Sequence, residues 1–259
     1  MLFVIDVGNT NTVLGLMDGP RIVEQWRVST TQRTTDELGM LLLQLFGHAG
    51  VAASQVHAVV VCCVVPSALF TLDKACRRYL HRTPRVFDPR ADVGLPVRVD
   101  NPNELGADRV VNALAARTSL EPPFLIVDFG TATTFDCVDA SGSYIGGAIA
   151  PGLQISTDAL TSRTSRLPRI EVARPRTTIG ANTVHAIQSG VFWGYVGLVD
   201  GLARRCKQEL LDGRDGRVPC VATGGLSNLV GRACAEIDEV DPDLTLQGLR
   251  LWHERSIVA

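Results

Sequence analysis

Hydrophobic positions along the first third of the chain predict strands first and helices afterwards. Three apolar runs separated by turn residues predict a meander of strands, at residues 3–5, 12–17 and 21–28. Residues 35–46 then carry apolar positions at helical spacing, residues 56–65 return to a strand, and Pro66 is expected to open a second helix. Strands and helices that alternate in this order indicate an α/β domain.

The second half of the chain repeats this pattern. Apolar runs predict another meander, at residues 124–127, 133–138 and 144–149. A helix from residue 151, a long helix over 182–211 and a strand over 218–222 are expected to follow. The chain is therefore expected to form two domains of one architecture, residues 1–118 and 119–259, with a final helix free to pack back on the first domain.

Composition and charge narrow the classes of function. The 259 residues are 46% hydrophobic with a mean hydropathy of +0.15, which excludes a disordered chain. The net charge of −2 predicts no general attraction to nucleic acid. The longest apolar stretch, residues 58–65, is far shorter than the roughly 20 residues that span a membrane, and no signal-peptide pattern opens the chain. Seven cysteines without metal-ligand spacing predict free thiols in a reducing cytoplasm.

Two segments with one shared pattern are the first candidates for chemistry. Residues 6–12 (DVGNTNT) and 128–134 (DFGTATT) each follow an apolar strand and share Asp, Gly and Thr at the first, third and seventh positions. Such a hairpin can direct backbone N–H groups at a phosphate, with Gly allowing the tight turn and Asp holding a cation. A single hairpin of this kind is often only a turn. Two at equivalent places are expected to clamp a polyphosphate from both sides.

Two further motifs have both a structural and a functional interpretation. Residues 222–225 (ATGG) follow a strand, where paired glycines either form a plain turn or let a flat adenosine approach the backbone. In residues 101–109 (NPNELGADR), Asp108 and Arg109 lie in a helix predicted over 103–117. They are either a helix-capping ion pair or a general base beside an anion-binding group. The sequence contains no Walker A pattern, so a P-loop enzyme is excluded.

Together these motifs resemble the type III pantothenate kinases, a family of the acetate and sugar kinase/Hsp70/actin superfamily. The resemblance covers nearly the whole chain and rests on the segments 6–12, 101–109, 128–134, 146–153, 182–183 with 186–190, and 223–225. It implies an α/β fold of duplicated ribonuclease H-like (actin-like ATPase) domains with an interdomain cleft. It also implies ATP-dependent phosphorylation of pantothenate, a small molecule, at its terminal hydroxyl, the first step towards coenzyme A.

The resemblance also assigns roles to individual residues. Asp108 would be the catalytic base, Asp6 would place Mg²⁺, and Asp128 would hold a monovalent cation, K⁺ or NH₄⁺. Contacts with ATP are implied for nine residues: Asp6, Val7, Gly8, Asn9, Thr10, Asn11, Thr12, Val13 and Thr131. Contacts with pantothenate are implied for six residues: Val99, Gly106, Ala107, Asp108, Arg109 and Thr183.

One position departs from the family pattern, and two other functions stay open. Val99 stands where many members have a tyrosine, which removes a ring and a hydroxyl from the substrate side. The resemblance implies a homodimer, because the family is dimeric and the helix that matches 182–211 contributes to its interface. Neither a nucleic acid nor a membrane is expected as a partner. The alternatives are a non-catalytic regulator similar to the Bvg accessory factors and a superfamily kinase for another small alcohol. The carboxylates of Asp6, Asp108 and Asp128 favour a catalyst.

Overall fold

The computed structural model describes residues 1–90, 94–164 and 167–258, and the chain groups into two compact units. Unit 1 comprises three segments: Met1–Gly94, Asn103–Ala115 and Thr245–Ala259. Unit 2 comprises two segments: Leu95–Pro102 and Ala116–Leu244. Residues 95–102 thus group with unit 2, and the C-terminal helix groups with unit 1.

Unit 1 is built on a five-stranded mixed sheet. Its strands are β1 (Leu2–Val7), β2 (Asn11–Asp18), β3 (Arg21–Ser29), β4 (Ala58–Cys63) and β5 (Arg85–Val86). They lie in the order β3-β2-β1-β4-β5, in which the first three form the predicted antiparallel meander and the last two join in parallel. Its helices are α1 (Thr35–His48), α2 (Pro66–Ala75) with a π-helical continuation (Cys76–Leu80), and α3 (Ala107–Ala116).

Local signals fix where α1 begins and what it buries. Thr34 caps the helix, since its Oγ1 accepts from Glu37 N at 3.3 Å and its own N–H donates to Glu37 Oε2 at 2.7 Å. Leu42 and Phe46 pack against the buried side chains of β1, where the Phe3 and Phe46 rings meet edge to face at 4.9 Å. This apolar core of unit 1 therefore lies between the sheet and the helices α1 and α2.

Unit 2 repeats the plan of unit 1. Its strands are β6 (Phe124–Phe129), β7 (Ala132–Val138), β8 (Tyr144–Pro151), β9 (Cys220–Thr223) and β10 (Glu239–Val240). Their order, β8-β7-β6-β9-β10, places the five strands as in unit 1. Its helices are α4 (Leu153–Ser162), α5 (Thr183–Leu211) and α6 (Ser227–Val230), after which α7 (Leu244–Val258) ends the chain. This repetition confirms the predicted duplicated α/β architecture.

The longest helix, α5, packs one face on the sheet of unit 2. Asn182 caps it, with Oδ1 accepting from His185 N at 2.9 Å. Phe192, Tyr195 and Val199 then bury themselves against the strands. Neither α5 nor any other helix in the described ranges combines the length and apolar character needed to cross a membrane.

Three details differ from the sequence-based predictions. The helix expected from residue 103 begins at Ala107, after a 3₁₀ turn over Pro102–Glu104. The strand expected from residue 218 begins at Cys220, because Pro219 has no N–H to donate to a neighbouring strand. The edge strands β5 and β10 were not predicted, since two residues are too few to show a hydrophobic period.

Candidate active site

The first predicted phosphate-binding segment forms the tight turn between β1 and β2. Gly8 N donates to Asn11 O at 3.1 Å, and a Cβ on residue 8 would lie 3.0 Å from that oxygen. Asn9, Thr10 and Asn11 are exposed at the tip, which Thr30 steadies by donating its N–H to Thr10 O at 2.9 Å. The turn therefore offers an exposed polar tip on a buried strand, as the phosphate-binding interpretation expects.

One buried thiol of unit 1, that of Cys62, is influenced by two carboxylates. Asp6 is the register partner of Cys62 in the parallel pairing of β1 with β4. Burial, followed by the negative charges of Asp6 and Asp108, raises the pKa of the Cys62 thiol well above its usual value. The fully buried thiol therefore keeps its proton and donates it in a hydrogen bond to the Asp6 carboxylate. Cys62 therefore lies beside Asp6, and the charge of Asp108 acts on the same thiol.

Backbone geometry at the start of α3 fixes the Asp108 side chain. Asp108 lies in the first turn of α3, where the helix dipole favours a negative charge. Its Oδ1 accepts from Arg109 N at 2.9 Å. A Cβ on residue 106 would lie only 2.5 Å from the same oxygen, so Gly106 leaves the space that the carboxylate fills. These constraints hold the Asp108 carboxylate in one orientation.

The second predicted segment forms the equivalent turn between β6 and β7. Gly130 and Thr131 are exposed at its tip. A Cβ on residue 152 would lie 2.2 Å from Thr131 O, so Gly152 makes room for the turn. On the core side, the Thr133 hydroxyl hydrogen-bonds to the Tyr195 hydroxyl of α5. The hairpin is therefore anchored below and open at its tip, as in unit 1.

The glycine motif that follows β9 lies beside Asp128. Thr223 is the register partner of Asp128 in the parallel pairing of β6 with β9. Gly224 has a φ of +89°, and a Cβ there would lie 2.4 Å from Asp128 Oδ1, so both conformation and space require glycine. Ser227 Oγ donates to Gly224 O at 2.7 Å and closes the turn. Residues 223–225 and Asp128 therefore form one cluster in unit 2.

Val99 lies in unit 2, on a segment that runs beside β8. Tyr144 N donates to Pro96 O and Arg98 N donates to Tyr144 O, both at 2.8 Å. A Cβ on residue 146 would lie 3.9 Å from a Val99 methyl group. The half-buried Val99 side chain therefore lies against the first residues of β8.

Thr183 is placed at the mouth of an open cavity in unit 2. It is the exposed first residue of α5, and the cavity, of about 640 Å³, is lined by Thr183, Gly180, Asn182, Ala186 and Leu160 among others. A Cβ on residue 180 would lie 2.2 Å from Ala186 N, so Gly180 lets the preceding loop approach the helix start. The cavity could receive a small ligand beside the Thr183 hydroxyl.

Two residues of these clusters, Cys62 and Thr223, were not among the site residues predicted from the sequence. Cys62 lies in an apolar run where a thiol resembles a small core side chain, and only the pairing of β1 with β4 places it against Asp6. Thr223 was noted within a glycine motif, but its place beside Asp128 depends on strand register as well. Cys62 and Thr223 occupy equivalent positions on β4 and β9, the strands that pair in parallel with the first strand of each unit. Only this equivalence could have indicated them from the sequence.

The expected ions would rely on few protein ligands. In the described ranges, no group of three or more His, Cys, Asp or Glu side chains gathers in a way that could hold a metal ion. Mg²⁺ in kinases is commonly bound through one or two carboxylates together with substrate phosphates and water. Asp6, at the base of an exposed turn, suits that mode of binding.

Comparison with known proteins identifies the family. A sequence model of the Type III pantothenate kinases matches residues 2–205. The Type III pantothenate kinase of Exiguobacterium sibiricum is 49% identical over 257 residues, which cover 99% of this chain and 100% of that relative.

Solved structures show the same fold at low sequence identity. A Baf family transcriptional activator from Campylobacter jejuni has a TM-score of 0.61 at 17% identity, covering 99% of this chain and 100% of that one. The activator of 2-hydroxyisocaproyl-CoA dehydratase from Clostridium difficile, solved with bound ADPNP, has a TM-score of 0.53 at 15% identity, with coverages of 99% and 96%. These two likenesses show the actin-like fold alone. The family match and the near-complete relative show that the chain belongs to the type III pantothenate kinase family.

Proposed function

We propose that this chain transfers the γ-phosphoryl group of ATP to the terminal hydroxyl of pantothenate, the first step towards coenzyme A. The observation that carries the proposal is the placement of two carboxylates in unit 1, Asp6 and Asp108. One lies at the base of a phosphate-binding turn, and the other is fixed at a helix start. Phosphoryl transfer needs this combination of positioned phosphates, a cation site and a group that orients the nucleophile.

Asp108 is the general base in this proposal. As the pantothenate oxygen bonds to the γ-phosphorus and the bond to the β-phosphate oxygen breaks, ADP leaves and the hydroxyl proton passes to the Asp108 carboxylate. The first turn of α3 favours the ionised carboxylate, and the hydrogen bond from Arg109 N fixes its direction. The Arg109 guanidinium would pair with the pantothenate carboxylate, a match of planar groups.

The remaining substrate contacts follow the positions of the matching motifs. Gly106 and Ala107 would approach pantothenate with their backbone, and Val99 and Thr183 would contact it with their side chains, as the matching motifs imply. ATP would be held by residues 6–13 and by Thr131, whose turns expose polar tips. Mg²⁺ placed by Asp6 would neutralise charge that develops on the transferring group. Asp128 would hold the monovalent cation.

A homodimer formed through α5 is the assembly we propose. Four glycines lie on one face of that helix, where an added Cβ would meet no atom within 4 Å: Gly190, Gly194, Gly197 and Gly201. Large apolar side chains are also left exposed in unit 2, among them Ile149, Ile179 and Leu198. An open face of small residues beside exposed apolar groups suits close approach of a second copy. Sedimentation of the wild-type protein tests this assembly.

The cytoplasm is the compartment we propose for the reaction. All seven cysteines are free thiols, and five of them are buried. A reducing compartment keeps such thiols unpaired.

The experiment measures ADP release from ATP, Mg²⁺ and K⁺ with and without pantothenate. Asp108→Asn keeps the shape of the side chain but removes the base, so we expect kcat to fall by about 10²- to 10⁴-fold, with the ATP-induced thermal shift retained. The matched control is Asp36→Asn, in the first turn of α1, which should keep the wild-type rate. Folded wild-type protein that releases no more ADP with pantothenate would contradict the proposal, and a panel of small alcohols would then separate another kinase from a regulator.

A further inference from the structure

A buried hydroxyl at the end of β9 has no hydrogen-bond partner among the described residues. Thr223 has none of its surface exposed. Its Oγ1 makes no hydrogen bond among the residues that the structure describes. A buried hydroxyl without a partner costs folding free energy, and most such groups are satisfied by protein, water or a ligand. Thr223 Oγ1 is therefore a position at which a bound group is expected.

Strand register shows what this hydroxyl faces. Val127 of β6 and Ala222 of β9 are register partners, and both belong to the core beneath α5. Side chains alternate along a strand, so Asp128 and Thr223, the next pair, share the opposite face of the sheet. Asp128 Oδ1 also lies 2.4 Å from where a Cβ on Gly224 would be. The carboxylate and the buried hydroxyl therefore lie on the same face of the sheet, at the same strand end.

The neighbouring threonine hydroxyls are already engaged. Thr134, which pairs with Asp128 from the other side, donates its hydroxyl to Asp136 Oδ2 at 2.9 Å. Thr133, on the core face, hydrogen-bonds to Tyr195. Of Thr133, Thr134 and Thr223, Thr223 is thus the one whose hydroxyl makes no hydrogen bond among the described residues.

We propose that Thr223 Oγ1 is a second protein ligand, beside the Asp128 carboxylate, for the monovalent cation. This inference rests on the proposed function, which places that cation at Asp128. Potassium is held by several neutral oxygens that replace its water, and a threonine hydroxyl next to one carboxylate supplies such an oxygen. Ammonium could donate to the same two groups. A cation there would also coordinate the buried oxygen, which makes no hydrogen bond among the described residues.

The test compares two variants of Thr223 with a matched control. Thr223→Val keeps the shape but removes the oxygen, whereas Thr223→Ser keeps the oxygen. The control is Thr157→Val, because Thr157 is also a buried threonine of unit 2 and its hydroxyl already donates to Leu153 O at 2.8 Å. Two readouts are taken: the potassium concentration for half-maximal ADP release, and the thermal shift on replacing choline by potassium without substrates.

The expected result is a selective loss of potassium binding. Thr223→Val should raise the half-maximal potassium concentration by about tenfold or more and lose the potassium-induced thermal shift. In choline it should be at least as stable as the wild type, because removing an unpaired buried hydroxyl relieves its cost. Thr223→Ser and Thr157→Val should keep the wild-type potassium dependence.

Other outcomes overturn the inference and separate it from the proposed function. Unchanged potassium dependence in Thr223→Val would show that the oxygen binds something else, and a higher KM for ATP alone would assign it to the nucleotide. Potassium-independent turnover and stability of the wild type would overturn the cation ligand while leaving the kinase proposal intact. A wild type that shows the potassium-induced thermal shift, lost in Thr223→Val, but no pantothenate-dependent ADP release would fail the kinase proposal and keep the ligand.

Discussion

The first strands of unit 1 and unit 2 end in the same pattern, but a different side chain lies beside each aspartate. In unit 1, Asp6 accepts a hydrogen bond from the buried Cys62 thiol. In unit 2, Asp128 lies beside the buried Thr223, whose hydroxyl has no partner among the described residues. The two units thus share a backbone plan. They differ in the residue that pairs with the aspartate from the neighbouring parallel strand, which is Cys62 on β4 and Thr223 on β9.

That difference fits two separate tasks. The thiol of Cys62 donates a hydrogen bond to Asp6, and the Asp108 carboxylate is fixed at the start of α3, so unit 1 holds each of its two carboxylates in place. The oxygen of the Thr223 hydroxyl makes no hydrogen bond among the described residues, so it is available to coordinate a cation. On our proposal, unit 1 supplies the base and the Mg²⁺ ligand, and unit 2 supplies the monovalent cation site. The two halves of a duplicated fold can therefore take on different chemical tasks when a single residue beside each turn differs.

The largest effect that sharpens this comparison is expected from Gly106→Ala in unit 1. The added Cβ would lie 2.5 Å from Asp108 Oδ1 and would push the carboxylate out of place. Displacing a catalytic group by about 1 Å can cost about 100-fold in rate, so kcat should fall to that extent while the potassium dependence stays the same. Gly47→Ala in α1 is the control, because no atom lies within 4 Å of its added Cβ. A Gly106→Ala enzyme with the wild-type kcat would show that this orientation of Asp108 is not needed.

A smaller effect is expected from Cys62→Ala, which removes the hydrogen bond to Asp6. We expect the KM for Mg²⁺–ATP to rise by about 3- to 10-fold, the range that one hydrogen bond supports, with Cys62→Ser close to the wild type. Cys76→Ala, another fully buried thiol of unit 1, controls for the loss of volume. If both alanine variants change KM equally, or neither does, Cys62 does not position Asp6.

Most of the fold could be predicted from the sequence because long periodic segments identify themselves. The two meanders follow from apolar runs divided by Gly, Asp and Asn turns. The start of α3 could not be placed, since it depends on Gly106 leaving room for the Asp108 carboxylate rather than on any period. The edge strands β5 and β10 are held by pairing with a longer neighbour and carry too few residues for a pattern.

The candidate site was predictable only in part, for a related reason. Asp6 and Asp128 follow from the repeated turn pattern, and Asp108 from its motif, all of them local in sequence. Cys62 and Thr223 approach those turns from strands many residues away, and strand register is a tertiary property. A cysteine in an apolar run and a threonine before two glycines look the same in sequence whether or not they touch a carboxylate.

The most direct test of the central claim is a potassium titration of ADP release by Asp6→Asn and Asp128→Asn. The account predicts that Asp6→Asn stays inactive at every potassium concentration, because it loses the Mg²⁺ ligand. Asp128→Asn should retain a basal rate that potassium no longer stimulates. Equal responses of the two variants, or a potassium-stimulated rate in Asp128→Asn, would contradict the division of tasks between the two units.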